Sequence, residues 1–133
     1  MVIGFDAKRA FHNNSGLGNY SRTLIKNLHS YFPDHEYLLF TPPHKSNHLH
    51  RLVKQNSNIK VITSPNWVPN KLSSLWRSLM IVNSLKKNKV QLYHGLSNEL
   101  PHRIHKSNIP SIVTIHDLIF LKHPEWYPKI DVL

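Results

Sequence analysis

The sequence contains no cysteine. Disulfides and thiolate-held metals are therefore excluded, and the chain suits a reducing compartment. Long apolar runs are also missing. No window holds the ~18 consecutive apolar residues that a membrane span requires. The first residues, Met1-Val2-Ile3-Gly4, lack the charged region and cleavage site of a secretory signal, so the expected location is cytoplasmic. Acids are scarce: seven Asp and Glu face seventeen Lys and Arg, for a net charge of +10. Between Tyr37 and Asn98 there is no acid at all, whereas Lys45, Arg51, Lys54, Lys60, Lys71, Arg77, Lys86, Lys87 and Lys89 fall there. An acid-free basic half attracts nucleic acid, phospholipid head groups or phosphorylated small molecules, or is simply a solvated face. The few acids are scattered, and no pair suggests glycoside hydrolysis.

What remains is enough for one domain. The chain has 133 residues, 40% of them hydrophobic. Val2 to Phe5 reads as a short buried strand ending at Asp6. Residues 7–16 read as a loop whose end, Asn13-Asn14-Ser15-Gly16, is turn chemistry. Leu17 to Phe32 repeats apolar residues at helical intervals, with Ser15 as the expected cap and Pro33 as the stop. Tyr37 to Thr41 is a second strand. A short polar helix is expected within residues 44–56. Ile59 to Thr63 is a third strand, alternating enough to lie near an edge. Asn70 is placed to cap a helix over Lys71 to Lys87, with Leu72, Leu75, Trp76, Leu79, Met80 and Val82 on its apolar side. Val90 to His94 and Ser111 to Ile115 are the fourth and fifth strands, joined by a loop, and a further loop follows from Leu118 to Pro128.

Strands alternating with helices predict an α/β fold: a Rossmann-like, mostly parallel sheet with helices on both faces. Ligands of such sheets lie outside the carboxyl ends of the strands. Asp6 and the Gly16–Gly18 loop stand at the end of the first strand, His94-Gly95 and the loop to Glu99 at the end of the fourth, and His116-Asp117 at the end of the fifth. The Gly-containing loop before a helix has the chemistry of an anion site, since the first amides of a helix are unpaired and carry partial positive charge. A tight turn into a packed helix accounts for the same residues. His116 either orients a ligand hydroxyl or binds a backbone carbonyl. Asp6 and Asp117 either bind a ligand hydroxyl or shape turns, and Asn98 and Glu99 lie over the rim, where a ligand would sit. The spacings His44-x3-His48-x-His50 and His102-x2-His105 lack an accompanying carboxylate, and no metal site is expected. The apolar stripe of the 71–87 helix is expected to be core; its other reading is a helix lying on an anionic membrane.

At this point the residues resemble a known family. The stretches IGFDAKRAFHNNSGLGNYSRTLIKNL, LYHGLSNELP and IPSIVTIHDLIFLKHPEWYP are similar to the N-terminal domain of GT-B-fold retaining glycosyltransferases, the large family of bacterial mannosyltransferases and glycogen-synthase-like enzymes. The most specific pieces are Thr114-Ile115-His116-Asp117-Leu118 with Pro124-Glu125, and Gly16-x-Gly18-x-Tyr20. The resemblance covers essentially all 133 residues. It implies that residues 1–133 are the acceptor-side half of a two-domain enzyme. The donor half, with its Glu-x7-Glu motif, lies in a C-terminal domain in cis or in a separate chain. The loop of Gly16, Leu17 and Gly18 would approach the donor phosphates and the acceptor, and His116 would lie by the transferred sugar. The implied substrates are a nucleotide sugar and a glycan or lipid-linked acceptor. No cofactor, metal or nucleic acid is expected, and peripheral contact with the inner face of the membrane is. Glu36, Glu99 and Glu125 are the only glutamates, so Glu-x7-Glu is not here and this half alone should be inactive. Gln91 stands where relatives often carry Asp. The alternative from another class is a basic, non-catalytic α/β module that binds nucleic acid or an anionic surface. Against it, no helix-turn-helix, zinc finger or RNA-recognition pattern is legible.

Overall fold

Strand β1 (Val2–Asp6) and strand β2 (Glu36–Thr41) are buried along nearly their whole length, as strands covered on both faces must be. A computed structural model describes residues 1–43, 53, 55–65, 68–69, 72 and 75–126. Three more strands, β3 (Ile59–Thr63), β4 (Leu92–Gly95) and β5 (Ser111–Val113), complete a five-stranded sheet in the order β3-β2-β1-β4-β5. Every pairing is parallel. The architecture is the expected Rossmann-like α/β fold, and β3 lies at the edge its alternation indicated.

Alternation along the strands sorts the apolar residues into two cores. Ile3, Phe5, Tyr37, Leu39 and Ile59 face helices α1 (Lys8–His12) and α2 (Gly16–Tyr31), meeting Ala10, Phe11 and Ile25. Leu38, Phe40 and Tyr93 face the other way, onto Trp76, Ile81 and Leu85. Tyr37 reaches the end of α2, its hydroxyl lying 2.9 Å and 2.7 Å from the carbonyl oxygens of Leu28 and Phe32.

Several local expectations are corrected. Residues 7–16 are not all loop: α1 forms because Asp6 Oδ1 accepts the Lys8 amide at 3.1 Å and Phe11 packs into the core. Ser15 holds the cap position of α2 without capping it by its side chain. Asn13 does that work instead, its Oδ1 accepting the amides of Ser15 (2.8 Å) and Gly18 (3.3 Å). The 71–87 helix, described from residue 75 on, opens as a π-helical turn, Trp76–Met80, followed by α3 (Ile81–Lys87). The Ile81 amide bonds to the Trp76 carbonyl, five residues back, so the wide turn lets Trp76 and Ile81 share one face. The buried face is thus Trp76, Arg77, Ile81 and Leu85, whereas Leu72, Leu75, Leu79 and Met80 are exposed. With Val68, Pro69 and Trp76 they line an apolar groove of about 110 Å³.

Strand β5 stops two residues early. Beyond the pair Gly95–Val113, the Thr114 amide bonds to the Gly95 carbonyl and the Thr114 carbonyl accepts the Asn98 amide, both at 2.9 Å, so the loop after β4 takes the place of a strand. Short helical turns occupy Ile104–Lys106, Ile119–Lys122 (α4) and Pro124–Trp126, where loop was expected. Within 44–56 only residues 53, 55 and 56 are described, so the short helix expected there lies outside the described residues, as does His44-x3-His48-x-His50.

Candidate functional site

The carboxyl rim of the sheet carries two clusters, one on each face. Asp6 follows Gly4 on the face that meets Arg77. Asp6 Oδ2 accepts a bond from Arg77 Nη1, and both side chains are buried. Arg77 Nη2 donates to Glu99 Oε2 at 2.6 Å, and that carboxylate is 55% exposed. Burial pushes the Asp6 carboxyl above its ordinary value, against the opposing pull of Arg77 and the Lys8 amide. Burial, helped by the charge of Asp6, likewise lifts the neighbouring Tyr93 phenol far above its ordinary range. The depression over this cluster, between Tyr93, Leu100 and Pro101, is about 10 Å³ in volume, about one water's worth of room. A monosaccharide does not fit it. Arg77 counted as a surface cation in the sequence reading; the structure makes it the ion-pair centre that ties β1, the π turn and the loop after β4. The available signal was an arginine set between Trp76 and the apolar residues of one helix stripe.

The other cluster stands on the α2 face. Tyr20 sets its ring edge-on to the His116 ring, 5.0 Å between centroids. The Tyr20 hydroxyl is 3.2 Å from Thr114 Oγ1, which is 2.8 Å from His94 Nε2. The His94 ring lies 5.8 Å from that of Phe5. His116 Nε2 donates to the Leu96 carbonyl at 2.8 Å, since a carbonyl can only accept. In the neutral ring Nδ1 is then a lone-pair nitrogen, suited to a ligand hydroxyl. Asn98 holds this corner. Its backbone is left-handed (φ 60°), a conformation asparagine tolerates, and its Oδ1 accepts the His116 amide at 3.0 Å.

Gly16 and Gly18 differ in what they permit. A Cβ on Gly18 would lie 1.8 Å from the Asn13 carbonyl oxygen, whereas one on Gly16 meets nothing within 4 Å. Gly18 is needed for loop packing and Gly16 opens outward. Helix geometry leaves the amides of Gly16 and Leu17 without intrahelical partners at this end. Asp117 Oδ1 accepts the Ile119 amide at 3.1 Å, at the start of α4. The structure thus brings Tyr20, Asn98 and His116 to one corner of the rim, packs Gly18 against the Asn13 backbone, takes Asp6 and Glu99 into the Arg77 cluster, and sets Asp117 at a helix start. Tyr20 and Thr114 lie in the sequence motifs without an expected role, and His94 is expected only to stand at a strand end; the structure joins all three, and their positions at strand and helix ends are the legible signal. Among the described residues no three His, Asp or Glu side chains gather as metal ligands, His102 and His105 included.

Burial holds His94 below its ordinary value. The folded state therefore binds fewer protons than the unfolded chain below about pH 6.5, the ordinary histidine value. The contribution is complete above that value and is lost as the pH falls through it toward the lowered one. Urea denaturation across this range is expected to show a steeper acid loss for the wild type than for His94→Gln.

No protein-family model, curated protein or solved structure matches this chain.

Proposed function

We propose that this chain is the acceptor-side half of a retaining, nucleotide-sugar-dependent glycosyltransferase, moving a mannose-like hexose to a glycan or lipid-linked acceptor in surface polysaccharide assembly. One observation carries the reading. Its two most specific motifs, Gly16-x-Gly18-x-Tyr20 and Thr114-Ile115-His116-Asp117, are far apart in sequence and touch at the rim through Tyr20 and His116. In this reading the Gly16-Leu17-Gly18 backbone meets donor phosphate, and His116 Nδ1 receives a hydroxyl of the transferred sugar. Asn98 holds His116, Glu99 and Asp117 border the acceptor, and Asp6, expected from the sequence to bind it, is instead buried in its ion pair with Arg77. No metal or other cofactor takes part, and the donor half completes the cleft.

The test begins with the coding sequence beyond codon 133 and with partner chains, one of which should supply a Glu-x7-Glu donor half. In the completed enzyme, His116→Ala should lower turnover about 100-fold or more, the scale for losing one preorganised polar group at the reacting centre. Wild-type turnover in that variant removes His116 from the reaction, and the absence of any donor half overturns the glycosyltransferase reading.

Peripheral membrane contact at the cytoplasmic face belongs to the same proposal. The exposed Leu72, Leu75, Leu79 and Met80 support it, in a segment that ends in the exposed Lys86 and Lys87. Salt-sensitive binding to anionic liposomes without binding to duplex DNA is the expected result. Tight, sequence-selective DNA binding would favour the non-catalytic module.

A further inference from the structure

Thr114 Oγ1 stands between His94 Nε2 at 2.8 Å and the Tyr20 hydroxyl at 3.2 Å. The three groups come from the end of β4, the segment after β5 and the first turns of α2, and the Tyr20–Thr114 end of the chain is open to solvent. A threonine hydroxyl carries one proton, so it donates to one neighbour and accepts from the other. The chain therefore runs in one of two directions. With a proton on His94 Nε2, His94 donates to Thr114, Thr114 donates to Tyr20, and the Tyr20 proton turns outward. With Nε2 bare, Tyr20 donates to Thr114, Thr114 donates to His94, and Tyr20 turns a lone pair outward.

We propose that Tyr20 is a ligand-binding residue of the rim, that its ligand group is a sugar hydroxyl, and that His94, through Thr114, is the positioning residue that sets the direction of the Tyr20 bond. The proposal rests on the glycosyltransferase reading and adds to it the residues that engage the sugar. The ligand class follows from the two directions. A phosphate oxygen only accepts and an ammonium only donates, so each suits one state of the chain. A hydroxyl does both and matches either. Burial keeps the His94 ring neutral near neutrality, where both tautomers remain open to it. The T-shaped contact with His116 holds the Tyr20 ring without using its hydroxyl, so the ring and the hydroxyl are separable by substitution.

The experiment is a titration of the isotope-labelled 133-residue chain with methyl α-D-mannopyranoside, and separately with inorganic phosphate, followed by the ring-nitrogen shifts of His94 and His116 and the side-chain amide of Asn98. The mannoside is expected to move the His94 nitrogens, because a hydroxyl seated in one pose takes one of the two directions and Thr114 passes that choice on to His94. In Thr114→Val the sugar still binds but the His94 response disappears. Tyr20→Phe keeps the ring and the melting temperature and weakens mannoside binding about two- to tenfold, the loss of one hydrogen bond. If the mannoside shifts His116 and Asn98 while His94 stands still and Tyr20→Phe binds as wild type, the relay is wrong and the glycosyltransferase reading survives. If no rim resonance answers to the mannoside, both fall. A phosphate response at His94 equal to the sugar's overturns the hydroxyl assignment.

Discussion

Arg77→Ala is expected to destabilise the fold by about 3–5 kcal/mol, the cost of leaving one member of a buried ion pair alone. Asp6 is 3% exposed, and no other cation is bonded to it among the described residues. Burial, with the Glu99 charge, then acts on its carboxyl against the Lys8 amide alone, and its value already stands raised in the wild type. A raised acid is favoured in the fold as its neutral form, so its stabilising share is present in acid and lost as the pH rises through the folded value. The deficit of Arg77→Ala should accordingly be largest near neutrality and shrink on acidification, as read by urea denaturation at several pH values. Replacing both partners, Asp6→Asn with Arg77→Met, should recover most of the loss, because no buried charge remains on that axis. Glu99→Gln breaks the same guanidinium's other contact and should cost about 0–1 kcal/mol, since a carboxylate more than half exposed is screened by water. A large loss in Glu99→Gln, or none in Arg77→Ala, would contradict this account of the cluster.

Gly18→Ala is expected to cost at least about 1–3 kcal/mol, the range for forcing atoms into filled space. The new methyl would sit 1.8 Å from the Asn13 carbonyl oxygen and 3.0 Å from Arg22 Nη1. Neither yields easily. Arg22 Nη1 donates to the carbonyls of Ala10 (2.9 Å) and Asn13 (2.8 Å), and the Asn13 side chain holds the Ser15 and Gly18 amides. Relief of the clash must therefore open the loop and the cap of α2 together. Gly16→Ala is the control. Its methyl meets nothing, so it should stabilise by about 0.4–1 kcal/mol through the unfolded chain. Thermal melting of the two variants separates these outcomes. Because Gly16→Ala spares the fold, it is also the cleaner probe of whether this loop contacts a phosphate: lost turnover with a gained melting temperature would mark a ligand contact.

Much of the fold was legible because its signals are local. The apolar runs 2–5, 37–41 and 59–63 became strands within a residue of their expected bounds, and the 17–32 helix is displaced by a single residue. Alternating elements dictated a parallel sheet, and a parallel sheet places its ligands at one rim. The expected rim positions of Asp6, Gly18, Asn98, Glu99, His116 and Asp117 follow from that alone. Illegible were the features set by partners remote in the chain. Ser15 has the better cap chemistry by position, yet Asn13 caps, because Arg22 pins the Asn13 backbone against the helix. Leu72, Leu75, Leu79 and Met80 fall at helical spacing, yet they face outward, because the π turn rotates the buried face onto Trp76 and Arg77.

The sequence by itself determined the class of fold and the rim where chemistry can occur, because hydrophobic period and turn residues act between near neighbours. The tertiary structure decided which rim residues are spoken for. Asp6 and Arg77 are 71 residues apart, and His94 and Thr114 are 20 apart. Alternation sends Tyr93 and His94 to opposite faces of β4, so the ion cluster and the hydroxyl chain share a rim without sharing a face. Which side chain meets which across such distances depends on sheet register and helix rotation, and those exist only once the chain has closed on itself.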